Sequence, residues 1–397
     1  MKRWMLGAAT AGLVAVLAGC AAPGGTPEPV PTATATPGVS PAPTLDPLAQ
    51  PVGEPAVVAE GFTSPWSVVR LVSGSALVSE RDTGLIKEVT AAGDVRVVGG
   101  VEGVQPGGEG GLLGLAVSPW AAARADAAFE AQAPSTGSGT GDPLWLYAFF
   151  TGSSDNRIVR FVLEGEPGGY TLGAREDVLT GIAKAGNHNG GRIAFGPDGM
   201  LYAATGDASI RAASQDPASL NGKILRMSPT GQAPADNPAA GSLVYSLGHR
   251  NPQGIAWDGS GQLWAAEFGQ DTWDELNVIR PGGNYGWPTV EGVASDPAFV
   301  NPVYQWATDD ASPSGLAFTR GAFYLAALKG ERLWSVTTNA GAVATPYFAG
   351  SLGRLRDAVP GPDGSLWMLT SNTDGRGDPR PGDDKLLQVA LEPVAAG

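Results

Sequence analysis

The 397-residue chain has one cysteine and two histidines. A single thiol cannot close an intramolecular disulfide, so a disulfide-stapled scaffold is excluded. Charge is also scarce: Asp, Glu, Lys and Arg make up 16% of the residues, and the formal net charge is −14. A protein that neutralises phosphates needs a basic footprint, and none is visible, so nucleic-acid binding is excluded. Long apolar runs are missing too. The best one, Trp4 to Leu17, is too short and too rich in Ala and Gly to make a good membrane span.

What is present starts with a targeting pattern. Lys2 and Arg3 supply a positive start, the short apolar run follows, and Leu17-Ala18-Gly19-Cys20 closes it. That ending looks like a bacterial lipobox. It predicts a signal peptide over 1–19 and lipidation of Cys20. The protein would then be exported and tethered to the extracytoplasmic face of the cell membrane, touching it through the lipid alone. Residues 20–53 are rich in Pro, Ala, Thr and Gly and carry no apolar periodicity, which predicts a spacer. Residues 54–397 form the predicted folded domain.

Glycine is abundant at 58 residues, as suits short strands joined by tight turns. From Pro65 onward a unit recurs: apolar strand, Gly turn, apolar strand, turn, strand. Its copies start at Pro65, Gly111, Gly191, Gly254, Gly315 and Asp357. About fifty residues per copy fits a four-stranded propeller blade. The prediction is an all-β, six-bladed β-propeller, favoured over a large β-sandwich because a sandwich does not call for six similar units. PAVVAE near residue 55 and LLQVALEPV near 386 are expected to pair and close the ring. Residues 120–143 interrupt the second unit. Their Ala-rich half suggests a short helix, their STGSGTG half a loop, and no function follows from them.

The repeat sorts polar residues by face. In each blade the inner strand descends from the top and the second strand climbs back. Residues just before the first strand or just after the second therefore share the top face. This rule gathers Glu109, Asn187, His188, Asp207, Arg250, Asn251, Glu267, Gly269, Lys329, Arg354 and Arg356 around one channel, as expected for a ligand pocket on a rigid scaffold. His188, in the Gly-rich GNHNGGR turn, is the candidate general base. Asp207 is its candidate partner, able to hold the imidazole tautomer, or else a turn cap. His249 is open between two roles, with structure favoured because Arg250 beside it takes the channel side. Four cations on one channel would repel each other unless an anionic ligand or local acids such as Glu109 and Glu267 balance them. AEFGQDTWDELN holds Glu267, Asp271, Asp274 and Glu275, and its acids and loop carbonyls suit Ca²⁺, although the spacing is not that of an EF-hand.

Seven stretches, in order along nearly the whole propeller, carry a resemblance: GEGGLLGLA, NHNGGRIAFGPDGMLYAATGD, SLGHRNPQGIAW, EFGQDTWDELN, GGNYGWP, AALKG and GRLRDAVPGPDG. Together they resemble the soluble glucose and aldose sugar dehydrogenases that use pyrroloquinoline quinone (PQQ). The resemblance implies a quinone on the top face and oxidation of the anomeric hydroxyl of an aldose sugar to a lactone, with electrons passing on to an acceptor it does not identify. His188 would be the base, with Asp207 orienting it and Arg250 also at the reacting centre. Glu109, Asn251, Gln253, Lys329, Arg354 and Arg356 would hold the quinone. Ca²⁺ would bind the carbonyls of Gly269 and Gln270, and a second Ca²⁺ would involve Glu275 and Tyr285. The chain departs from the best-known glucose enzymes at Glu109 (their Gln), Asn187 (their Asp) and Gln270 (their Pro). Its short loop after Trp287 is closer to the broad-specificity aldose enzymes. A metal-dependent lactonase-like hydrolase and a non-catalytic sugar- or protein-binding propeller are the alternative readings, and fold alone does not separate the three.

Overall fold

The computed structural model describes residues 47–119 and 143–394. Cys20, the lipobox and the insertion at 120–142 lie outside the described residues. Within them the chain makes six four-stranded antiparallel sheets and only two short 3₁₀ turns, Arg211–Ser214 and Pro362–Gly364. The expected propeller is what forms. No helix among the described residues is long and apolar enough to cross a membrane.

The innermost strands are Pro65–Arg70, Leu112–Val117, Ile193–Phe195, Pro252–Trp257, Pro313–Thr319 and Leu355–Pro360. They are near-continuous apolar runs because neighbouring blades cover both faces. Every residue of Leu112–Val117 is buried. Buried side chains fill the seams between blades. Leu77, Ile86, Leu112 and Phe150 pack in one cluster, Trp66, Leu113, Tyr147 and Ile193 in the next. Where the inner strands converge there is no room for side chains. A Cβ on Gly254 would lie 2.3 Å from the Ser314 carbonyl oxygen of the next blade.

The sixth blade closes the ring. Its outer strand, Ala49–Glu60, comes from the start of the domain and pairs antiparallel with Lys385–Pro393 near the end, Ala56 facing Gln388. Pairing of the two termini was the expected closure. The strand begins at Ala49, five residues inside the stretch read as spacer. Pro51 and Gly53 make that stretch look like linker, yet this is an outer strand, where an unpaired edge tolerates proline and a bulge. The register does shift between Val52 and Ala56.

Candidate functional site

Four of the strands named above end in loops that meet at one end of the propeller. His188 leads into Ile193–Phe195, and Asp207 leaves the neighbouring strand Leu201–Thr205. His188 Nδ1 lies 2.8 Å from Asp207 Oδ1. Asp207 is fully buried and its carboxylate is fully used: the Ser209 amide donates to Oδ1 at 2.7 Å and the Trp287 indole donates to Oδ2 at 2.9 Å. Burial opposes its ionisation, but the bonds from His188, Trp287 and Ser209 outweigh that and hold its pKa below the ordinary carboxylate range. His188 itself has a left-handed backbone, φ 54°. Such a conformation in a non-glycine residue persists only when its surroundings over-determine it. Here the Ala208 amide donates to the His188 carbonyl at 3.0 Å, and Gly206 leaves room for that carbonyl.

From this pair a ring of contacts runs around the channel mouth. Glu109 Oε2 accepts the His188 amide at 2.9 Å, and its Oε1 lies 3.3 Å from Arg376 Nη1. The Arg376 amide donates to Asp374 Oδ1 at 2.9 Å, while Asp374 Oδ2 pairs with Arg354 at 3.0 Å and Arg356 at 3.5 Å. Arg356 Nη1 donates to Gln253 Oε1 at 3.0 Å. Gln253 follows Arg250 and Asn251 in the chain. Asn251 Oδ1 accepts the Gly190 amide at 3.0 Å, and the Arg250 carbonyl accepts the Asp207 amide at 2.8 Å, closing the circle. Residues scattered from 109 to 376 therefore form one site.

The site's electrostatics are lopsided. The guanidiniums of Arg250, Arg354 and Arg356 are all buried. Only Asp374 forms ion pairs with any of them among the described residues. Arg250 donates to the neutral Gln270 Oε1 at 2.9 and 3.1 Å and to the Phe268 carbonyl at 3.3 Å. Burial lowers its pKa against the pull of Asp207 and Glu267. Arg356 is pushed down to about 9, chiefly by burial, then by Arg81 and Arg354, with Asp374 opposing. Its Nε is buried without a partner among the described residues. Buried cations in this state are poised to take an anion.

Lys329 does not join this cluster. Its side chain is 60% exposed and pairs with Asp309. A long, solvated lysine on a rim loop is held by the nearest carboxylate rather than by parity with its neighbours. His249 is structural, as favoured: it is fully buried, bonded to Glu267 and Ser246 at 2.8 Å each, and stacked on Tyr285 at 4.5 Å. Asn187 sits beside the base, accepting the Ser209 hydroxyl at 2.7 Å.

The loop after strand Leu263–Glu267 has an unexpected brace. Glu291 Oε1 accepts four successive amides, from Gln270, Asp271, Thr272 and Trp273, at 2.6 to 3.1 Å. In a trans peptide the N–H and the preceding C=O point opposite ways. The carbonyls of Gly269 and Gln270 are thereby turned away from Glu291, which suits a cation. The side chains suggested for a second ion are engaged elsewhere. Glu275 accepts from Asn277 and Gly292, and the Tyr285 hydroxyl is spent on Val278 and Arg280. No cluster of three or more His, Cys, Asp or Glu able to hold a metal occurs among the described residues. A second Ca²⁺ there would have to displace the bonds that Glu275 and the Tyr285 hydroxyl make.

Trp287, Glu291, Asp374 and Arg376 were not singled out in the sequence. Asp374 and Arg376 do follow a second strand, Leu366–Thr370, so the parity rule extends to them. Glu291 and Trp287 lie between third and fourth strands, where that rule is silent.

The described residues thus form a six-bladed propeller with a histidine–aspartate pair and an under-neutralised arginine cluster at one mouth, a charge balance that suits an anionic group. The chain belongs to the glucose/sorbosone dehydrogenase family, whose pattern matches residues 62–377. It is 47% identical to the aldose sugar dehydrogenase of Streptomyces coelicolor. The structure of that enzyme's PQQ-bound form aligns with 88% of this chain and 100% of its own, at a TM-score of 0.78. Aldose sugar dehydrogenase YliI of Escherichia coli is 32% identical over 219 residues, 48% of this chain and 59% of that protein. Quinoprotein glucose dehydrogenase B of Acinetobacter calcoaceticus is 33% identical over 177 residues, 38% of this chain and 37% of that protein.

Proposed function

We propose that this protein is a PQQ-dependent aldose sugar dehydrogenase. The observation that carries this is the arginine imbalance: of three buried guanidiniums beside a histidine–aspartate pair, Arg354 and Arg356 share one carboxylate and Arg250 has only neutral acceptors. A cofactor with several carboxylates fits that imbalance, and the buried, partnerless Nε of Arg356 marks where a further acceptor is wanted. Arg354, Arg356, Arg250, Gln253 and Asn251 would hold it, with Lys329 swinging in from the rim. When bound, PQQ supplies the two-electron acceptor for the hydride leaving the sugar's anomeric carbon.

The chain's own part is proton management and positioning. With His188 Nδ1 engaged by Asp207, Nε2 is the ring nitrogen left to take the anomeric hydroxyl proton. Asp207 fixes the tautomer and stabilises the imidazolium that results. Arg250 adds positive charge where negative charge develops on the sugar oxygen. Glu109 braces the His188 backbone and is itself partly neutralised by Arg376. Ca²⁺ is proposed at the carbonyls of Gly269 and Gln270, where it would add a Lewis acid. Export and lipid anchoring through Cys20 complete the proposal, with the electron acceptor unidentified.

The test is dye reduction by the purified protein with a panel of aldoses, with and without PQQ and Ca²⁺. Quinone- and Ca²⁺-dependent reduction is the expected result. Lactone hydrolysis, or sugar binding without reduction, would replace the proposal. His188→Ala is expected to abolish turnover while leaving quinone binding largely intact, and full activity in that variant would remove the base assignment. Cys20→Ser is expected to move the protein from the membrane to the soluble fraction, and unchanged membrane association would remove the anchor.

A further inference from the structure

Asp207 faces His188 with one oxygen only. Its other oxygen belongs to Trp287, whose Nε1–H donates to Oδ2 at 2.9 Å. The indole is 7% exposed and is gripped from several directions. Its amide donates to the Gly248 carbonyl at 3.0 Å, and its carbonyl accepts from Gln215 Nε2 at 2.7 Å. Gln215 and Asn284 exchange two amide bonds, at 2.8 and 2.9 Å, tying the loop after Asp207 to the loop that carries Trp287. Two guanidinium carbons lie against the ring, Arg211 at 5.1 Å and Arg250 at 5.5 Å from its centroid. A cation on an aromatic face withdraws electron density and makes the ring N–H a better donor.

We propose that Trp287 is a positioning residue for the reaction. By holding Asp207 Oδ2 it aims Oδ1 at His188 and draws off part of the carboxylate charge. The effect on the base has a definite sign. A carboxylate that shares its charge with an indole N–H stabilises the imidazolium less than one that does not. Trp287 therefore limits how strongly Asp207 stabilises the imidazolium. The other charged groups facing the pair are Glu109 at the His188 amide, Arg376 on Glu109, and Arg250, whose carbonyl accepts the Asp207 amide. None of these groups takes its hydrogen bond from the indole nitrogen, although Arg250 also rests on the ring.

The test is Trp287→Phe, read in two ways. The first needs no catalysis. Only two histidines exist, so the imidazole NMR signals come from two residues, with His188→Gln assigning them. Trp287→Phe is expected to raise the His188 midpoint by roughly half a pH unit or more. In an Asp207→Asn background the same substitution is expected to add nothing, because the carboxylate that transmits it is gone. The second reading rests on the proposed dehydrogenase activity. The acid limb of kcat/KM is expected to move to higher pH and kcat to fall roughly tenfold, with KM for the sugar little changed. If Trp287→Phe does not fold, Gln215→Ala, which loosens the indole without removing it, is expected to shift the His188 midpoint in the same direction. An unshifted midpoint in Trp287→Phe, or in Gln215→Ala where the first variant is unfolded, overturns the proposal. Absence of any quinone-dependent oxidation in the wild type overturns the dehydrogenase reading alone, because the titration does not depend on it.

Discussion

Gly206 tests whether the His188 backbone is fixed by contact. A Cβ built on Gly206 would sit 1.9 Å from the His188 carbonyl oxygen and 2.3 Å from its carbonyl carbon. Carbon and oxygen that are not bonded rarely approach closer than about 3.3 Å, so Gly206→Ala requires a retreat of about 1.4 Å. The carbonyl cannot retreat freely, because the Ala208 amide is bonded to it at 3.0 Å and the residue already has a left-handed backbone. Overpacking of this kind costs about 1–3 kcal/mol of stability. The larger effect falls on function. A shift of roughly 1 Å in a reacting group can cost on the order of 100-fold in rate, and His188 Nδ1 has only a 2.8 Å bond to Asp207 to hold it. Turnover with saturating PQQ and Ca²⁺, thermal melting and quinone affinity form the assay. Expected are a roughly 100-fold loss of kcat, a modest fall in melting temperature and a much smaller loss of quinone affinity, since Arg354 and Arg356 reach the site from another blade while Asn251 Oδ1 lies 3.0 Å from the new Cβ. Wild-type turnover in a folded Gly206→Ala protein would refute the reasoning.

Two further perturbations address the buried charges. Asp374→Asn removes the carboxylate that pairs with both Arg354 and Arg356 and leaves two buried guanidiniums uncompensated, a loss of about 3–5 kcal/mol. Thermal melting measures it, and saturating PQQ is expected to recover part of it by supplying carboxylates. Despite burial, the two arginines hold the Asp374 pKa below its ordinary value. Its stabilisation is therefore present above the unfolded pKa, near about 4, and disappears as pH falls through the lower folded value. Melting of the asparagine variant is expected to be flatter than wild type over that acid range. Lys223 poses the opposite case. It is fully buried and donates to the carbonyls of Ala213, Ser214 and Asn221 at 2.7 to 3.0 Å, and burial lowers its pKa to about 8. Between that value and the ordinary lysine pKa, near about 10.4, the unfolded chain binds a proton that the folded chain does not, so this residue contributes a rise in stability with pH there. Lys223→Met is expected to lose that contribution and to lower stability at neutral pH, as measured by melting at pH 7 and pH 10 in both proteins. An unchanged slope would mean the lysine stays charged in the fold.

Blade number and ring closure can be read from the sequence because a propeller repeats one hydrophobic pattern six times. Each copy ends in turn chemistry such as PDG or DGSG, and strand parity then assigns the top face without any knowledge of packing. That reasoning reaches His188, Asp207, Glu109, Asn251 and Arg250, all of which stand within a few residues of the ends of inner or second strands. It fails at Ala49–Gly53, where an outer strand tolerates a composition that reads as linker. At Lys329 parity places a Cα and says nothing of where a flexible, 60% exposed ammonium finds its partner, here Asp309.

The residues that escape the sequence reading share a physical property. Trp287 and Glu291 act across the fold on segments far away in the chain: Trp287 on Asp207, eighty positions earlier, and Glu291 on the amides of 270–273. Neither makes a local pattern, since an indole beside proline and a lone glutamate in a loop are ordinary there. What reveals them is the accounting of polar groups once the chain is folded. Asp207 is wholly buried, so its second oxygen must have a donor, and four amides aimed at one point must have an acceptor. The same accounting, applied to Arg356, ends without an answer among the described residues: its Nε has no partner there, and the carboxylate it pairs with is shared with Arg354. A site otherwise closed in a hydrogen-bonded ring is left short of negative charge where Arg250, Arg354 and Arg356 converge, and an anionic group is what would balance it.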